Sequence, residues 1–207
     1  MNTNSSFSAA EMEALQHRRA APSSSNLPLA DGRTASEDVR ALFARYSERF
    51  GRADIPGIVL CFATNAALLR GMLEVAENFV FGESLLSRKH KEMIAAYVSQ
   101  QNACSYCADS HAVALAGQGG SREVICALQV GDLNSQLFTG AELGLLKFVA
   151  KVNGDSAAVS RADVEEAMNA GWTELQVGEA VHITALFAAF NRIANGFGLP
   201  TPFPGGL

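Results

Sequence analysis

From Ser36 onward the apolar positions of this chain recur with helical spacing. Val39, Leu42, Phe43, Tyr46 and Phe50 repeat at threes and fours, and Gly51 stops the run. Ile55-Pro56-Gly57 opens the next element, and Leu68, Met72, Val75 and Phe79 mark another amphipathic helix before a break at Phe81-Gly82-Glu83-Ser84. Ser87 is placed to cap a helix carrying Glu92, Met93, Ile94, Tyr97 and Val98. A further helical pattern, with Val113 and Leu115, ends at Gly117, Gly119 and Gly120, and Ser121 caps a short helix through Leu128. Thr139-x-x-Glu142 is a capping box opening a helix to about Val152. Ser160-x-x-Asp163 opens the next, which Gly171 closes, and Thr173 begins a last helix running to Asn195-Gly196. From Ala180 to Ala194 that helix is apolar nearly all round and rich in alanine, as expected of a central helix or one at a subunit interface. No period-2 run bounded by turns stands out. The expectation is an all-α chain.

Ahead of this pattern, residues 1–35 read as an arm. Ser8-x-x-Glu11 would start a short helix to about Ala20, which Ala21-Pro22-Ser23-Ser24-Ser25-Asn26 breaks, and disorder fits that composition equally well. At the other end, Leu199-Pro200-Thr201-Pro202-Phe203-Pro204 cannot continue a helix and is a candidate to lie on a neighbouring subunit. The division expected is an arm at 1–35, one all-helical domain at 36–198 and an extended tail at 199–207.

Composition narrows the classes. A chain of 207 residues that is 48% hydrophobic can bury a sizeable core. A net charge of −5 argues against a nucleic-acid partner. No apolar run reaches the ~18 residues a membrane span needs; the longest, Val181 to Phe190, contains His182. The start, Met1 to Ser6, lacks the basic and apolar regions of a secretory signal, so a reduced, cytosolic setting is expected. Four cysteines are too few for a disulfide scaffold, and in such a setting a CxxC is more often catalytic or metal-binding than structural.

The chemistry concentrates in Cys104-Ser105-Tyr106-Cys107-Ala108-Asp109-Ser110-His111. If helix runs through this stretch, Cys104, Cys107 and His111 share one face. A chain break at Gln101-Asn102-Ala103 would instead put Cys104 near a helix start. An unperturbed thiol is only about 3% ionised at pH 7, and a helix N-terminus or a nearby base raises that fraction. His111 is placed to accept a proton from Cys107, directly or through water, and such a histidine needs a carboxylate to orient it. Asp109 is two residues away and points elsewhere on a helix, so Glu92 is the candidate if the two helices pack side by side.

The spacing Glu92, eleven residues, Cys104, two, Cys107, three, His111 resembles the active-site signature of AhpD-like alkylhydroperoxidases in the carboxymuconolactone decarboxylase superfamily. The ending Asn191-Arg192-Ile193-Ala194-Asn195-Gly196-Phe197-Gly198-Leu199-Pro200 resembles that of its peroxidase-related branch, and the likeness spans roughly residues 40–200. The resemblance implies an AhpD-like helical bundle with the CxxC at the start of a core helix, assembled as a dimer, trimer or hexamer. It implies reduction of a small hydroperoxide through a transient disulfide, with an external thiol or dithiol as reductant. Glu92 would polarise His111, and His111 would draw a proton from Cys107. One cysteine attacks, becoming a sulfenic acid, and the other closes the disulfide. Nearness to His111 favours Cys107 as the attacking thiol; a helix-start position favours Cys104. Tyr106 stands where some members carry a histidine, and could supply a hydroxyl near the leaving oxygen.

Blander readings stand beside this one. A structural zinc needs four ligands, and His17, His90, His182, Cys61 and Cys126 form no second paired motif. Haem attachment needs a histidine where Ala108 stands. No metal or organic cofactor is indicated. Taken alone, Glu92 would be a solvated helix residue, His182 a satisfied core histidine, Cys61 and Cys126 inert core thiols and Trp172 a packing residue. A lyase of the decarboxylase kind, or a redox-responsive interaction module, are the competing functions.

Overall fold

The computed structural model describes residues 24–30, 32–133 and 136–202, among which nine α-helices and no strand occur. The short helix expected within residues 8–20, His17 and the tail beyond Pro202 lie outside the described residues. The helices are α1 (Glu37–Phe50), α2 (Gly57–Phe62), α3 (Ala66–Val75), α4 (Arg88–Gln101), α5 (Ser105–Gly117), α6 (Arg122–Val130), α7 (Gly140–Gly154), α8 (Arg161–Asn169) and α9 (Glu174–Phe197).

The helix starts follow from local chemistry. Ser36, Ser87, Ser121 and Thr139 each accept a first-turn N–H, and Thr139 with Glu142, Ser160 with Asp163 and Thr173 with Gln176 form reciprocal capping boxes. Gly51, Gly131 and Gly198 end α1, α6 and α9 in the left-handed conformation.

The buried apolar side chains fall into two clusters. One joins α4 to α6–α9 through residues such as Ile94, Val98, Leu128, Val149 and Ile183. The other gathers α1–α3 around Val39, Phe62 and Leu69, and takes in Cys104, Cys107, Ala194 and Leu199. α4, α5 and α9 pack together along the seam between them.

Two expectations need correction, at Phe79 and at His182. The helix expected through Phe79 changes hydrogen-bonding period: Ala76–Phe81 is a π-helical turn continuing α3. Sequence periodicity could not reveal it, because a π turn needs only one shifted hydrogen bond per residue and no special residue. The last helix is buried on several sides, as expected, and keeps one side open. Leu175, Gly178, His182, Ala185, Ala189, Arg192 and Gly196 form an exposed stripe along α9. His182 is therefore a surface residue, packed edge-on against Phe79, rather than a core histidine.

Among the described residues no helix is long and apolar enough to cross a membrane. The C-terminal stretch folds back over the site: Leu199 is buried, and the Thr201 hydroxyl donates to Asp109 at 2.5 Å.

Candidate active site

α4 and α5 run side by side, and this pairing builds the site. The chain turns between them through Ala103, the one described non-glycine residue with positive φ, at 51°. That left-handed turn is sterically costly for alanine. It delivers Cys104 to the N-cap of α5 rather than into the helix body. The break at Gln101-Asn102-Ala103 is thus the correct alternative, and the reading of helix running through Cys104 is not. Cys107 sits in the first turn, with its N–H donating to the Cys104 sulfur at 3.4 Å.

Glu92 has no exposed surface, so the bland reading of a solvated glutamate fails. Both carboxylate oxygens are taken. Oε1 accepts from Arg88, at 2.6 Å from its Nε, and Oε2 lies 2.6 Å from His111 Nδ1. Burial pushes the Glu92 carboxyl up, but His111 and Arg88 together outweigh it and hold it below the usual carboxylate range. An ionised Glu92 accepts Nδ1–H, which leaves His111 Nε2 as the acceptor. The ring is held edge-on to Phe187 of α9, with centroids 4.6 Å apart.

The two thiols share one hydrogen-bonded system. Cys104 is lowered, first because it accepts the Cys107 S–H and despite its burial. Cys107 is raised well above the ordinary range, first by giving that hydrogen bond and then by burial. These opposite shifts describe a single ionisation: the first negative charge settles on Cys104, where the helix cap receives it. Asn191 of α9 lowers both thiols by side-chain hydrogen bonding. It is fully buried, and its orientation is fixed by donating to Ser99 and accepting from Asn102. Only its place in the Asn191-to-Pro200 ending singled it out in the sequence.

Access is divided the other way. Cys107, Tyr106, His111, Arg88 and Glu92 line a cavity of about 590 Å³ at the seam of the two clusters; Cys104 does not. Most of its wall is apolar, from Tyr46 and Phe50 of α1, Met72 and Leu73 of α3, Val80 and Phe81 of the π turn, and Phe187 and Phe190 of α9. The Arg88 guanidinium lies over the Phe81 ring, 4.4 Å from its centroid.

All four residues expected at the site, Glu92, Cys104, Cys107 and His111, are therefore brought together. Asp109 turns away to Thr201, as its helical position required. Cys61 is buried and pushed up to about 12 by desolvation, while Cys126 is half-buried. Trp172 packs as expected, its indole donating to the Ala141 carbonyl. Among the described residues no three His, Cys, Asp or Glu side chains cluster as metal donors.

Residues 66–132, which contain all four, match the model of the carboxymuconolactone decarboxylase family. No curated protein matches the chain significantly. Among solved structures, an alkylhydroperoxidase AhpD core, an uncharacterized peroxidase-related protein from Ralstonia eutropha JMP134, superposes with a TM-score of 0.77. It has 24% identity over 86% of this chain and 93% of its own. An uncharacterized peroxidase-related protein from Silicibacter sp. TM1040 gives 0.75 at 26% identity, over 86% and 91%. A cysteine-to-alanine form of the debrominase Bmp8, bound to 2,3,4-tribromopyrrole, gives 0.62 at 18% identity over 82% and 87%. Over residues 66–132 the chain is thus similar to the carboxymuconolactone decarboxylase family, and its fold is that of these AhpD-like, peroxidase-related structures.

Proposed function

We propose that the protein is a thiol-dependent peroxidase that reduces organic hydroperoxides by closing and reopening a Cys104–Cys107 disulfide. The observation that carries this reading is the hydrogen-bonded dithiol at the wall of an apolar cavity, next to a histidine oriented by a buried carboxylate. His111 takes one proton from the pair through Nε2. The remaining negative charge rests on Cys104 and passes to Cys107 when the shared proton crosses the S–H···S hydrogen bond. Cys107 attacks, since it is the thiol on the cavity wall. Its sulfur bonds to the terminal oxygen of the hydroperoxide, the O–O bond breaks, and an alcohol leaves after gaining a proton. Cys104 then displaces water from the resulting sulfenic acid, forming the disulfide. An external thiol or dithiol returns both sulfurs to the reduced state.

The cavity's size and apolar wall suit a hydroperoxide carrying a hydrocarbon group better than hydrogen peroxide. The decarboxylase-like alternative has no use for a coupled dithiol. An interaction module would need neither His111 nor a cavity. A reducing, cytoplasmic setting and a homo-oligomer belong to the same proposal, the latter supported by the exposed stripe on α9.

The test is consumption of cumene hydroperoxide in the presence of dithiothreitol. Wild type should turn over and Cys107→Ser should not. Turnover retained in Cys107→Ser would remove this thiol from the mechanism, and no turnover in wild type would remove the activity.

A further inference from the structure

We infer that Tyr106 is a catalytic residue, the hydrogen-bond and proton donor to the oxygen that leaves when the O–O bond breaks. This rests on the peroxidase reading above and adds the one group that reading lacks. An alkoxide is a poor leaving group in an apolar cavity unless a proton reaches it as it forms.

Three observations converge on Tyr106. It lies between the two cysteines in sequence, and it lines the same cavity as Cys107 and His111. Its hydroxyl oxygen accepts the N–H of Ile58 in the first turn of α2, at 3.2 Å. That N–H belongs to the helix-start donors left without a partner inside their own helix. Among the described residues no group accepts the Tyr106 hydroxyl proton in turn. The oxygen thus already accepts one hydrogen bond, while its O–H has no acceptor among the described residues of the cavity wall. Accepting the Ile58 N–H also polarises the O–H and strengthens it as a donor. Burial pushes its pKa up to about 12, so it holds its proton throughout the range in which the thiols work.

Protons and electrons balance. Cys107 thiolate supplies the electron pair that forms the S–O bond. The O–O pair departs on the alkoxide, which takes the Tyr106 proton and becomes the alcohol. The phenolate is reprotonated by His111, which still carries the proton removed from the dithiol. The relay returns to its starting state before Cys104 closes the disulfide.

The test compares two oxidants and one alkylating agent on Tyr106→Phe, which keeps the ring and removes only the hydroxyl. Cumene hydroperoxide expels an alkoxide, peracetic acid expels a carboxylate that needs no proton, and iodoacetamide expels iodide. Stopped-flow rates should fall at least about tenfold for cumene hydroperoxide, within the usual range for losing a general acid. They should stay within about twofold for the other two reagents. Equal losses with all three would show that the hydroxyl only positions α5, and no loss with any would show that it is idle; either overturns the inference. If wild type alkylates normally but fails with both oxidants, the peroxidase reading fails instead. A second measurement needs no variant. In wild type the ratio of the cumene hydroperoxide rate to the iodoacetamide rate should stay flat from about pH 6 to about pH 9, given a donor protonated to about 12. A ratio falling through that range would assign the proton to a group of lower pKa and overturn the inference.

Discussion

Glu92 is the residue on which the site's electrostatics turn. It is a carboxylate without exposed surface, held charged by a guanidinium on one oxygen and an imidazole on the other. Glu92→Gln keeps the shape and removes the charge, so His111 loses the acceptor that fixes its tautomer. The rate of peroxide reduction should fall about 10²-fold, the low end for disabling an acid–base group. Thiol alkylation rates measured alongside would fall in step, because the thiolate fraction depends on the same histidine. Full activity in Glu92→Gln would detach the carboxylate from the chemistry. The cysteines make a second prediction. In Cys104→Ser, one turnover should leave a sulfenic acid on Cys107 that a dimedone-type reagent traps and mass spectrometry locates. Label found only in Cys107→Ser, on Cys104, would reverse the order of attack. Residue types and spacing made these four positions legible in the sequence. The proposed division of labour between the thiols was not, because it rests on which sulfur caps α5 and which lines the cavity.

At the scale of elements, most helix starts were legible, since Ser36, Ser87, Thr139, Ser160 and Thr173 are capping residues followed by periodic apolar positions. Two features were not. The π turn at Ala76–Phe81 has no residue signature, yet it brings Val80 and Phe81 to the cavity wall. The close approach of α7 to the end of α8 is also silent in the sequence. A Cβ placed on Gly144 would come within 2.5 Å of the Ala170 Cβ. Gly144→Ala must push the two segments apart, at a cost of about 1–3 kcal/mol for overpacking. Thermal denaturation should show it as a drop of about 2–4 °C per kcal/mol for a chain of this size. An unchanged midpoint would mean that the segments separate freely. The site's own residues lie elsewhere, so the rate with hydroperoxide at 25 °C should not change.

At the scale of the whole molecule, the site occupies the seam between two hydrophobic clusters, and the cavity is the space they leave unfilled. Ala114 lines that space one turn beyond His111. Ala114→Phe should cut the rate with cumene hydroperoxide at least about tenfold while changing that with hydrogen peroxide far less. Equal losses would argue that the cavity does not select the substrate. The seam itself was beyond the reach of sequence reading. Periodicity assigns each helix a buried face but not the partner that covers it.

Acid stability follows from the same arrangement. The Glu92 and Glu142 carboxyls are held below the ordinary glutamate value in the folded state, despite opposing burial. His111 and Arg88 hold the first, and Lys89 and the Thr139 cap hold the second. Their stabilisation is complete above the unfolded pKa and is lost as pH falls through the folded one. Urea midpoints should therefore decline below about pH 4.5, less steeply in Glu92→Gln. Identical slopes in the two proteins would show that the buried pair contributes nothing to acid stability.

The most direct test of the central claim is stoichiometric. Reduced protein mixed with one equivalent of cumene hydroperoxide, without added reductant, should lose two titratable thiols per chain. Peptide mapping should find Cys104 joined to Cys107, with Cys61 and Cys126 still free. If all four thiols remain titratable, or if the oxidised sulfurs are Cys61 and Cys126, the assignment of peroxide reduction to this dithiol is wrong.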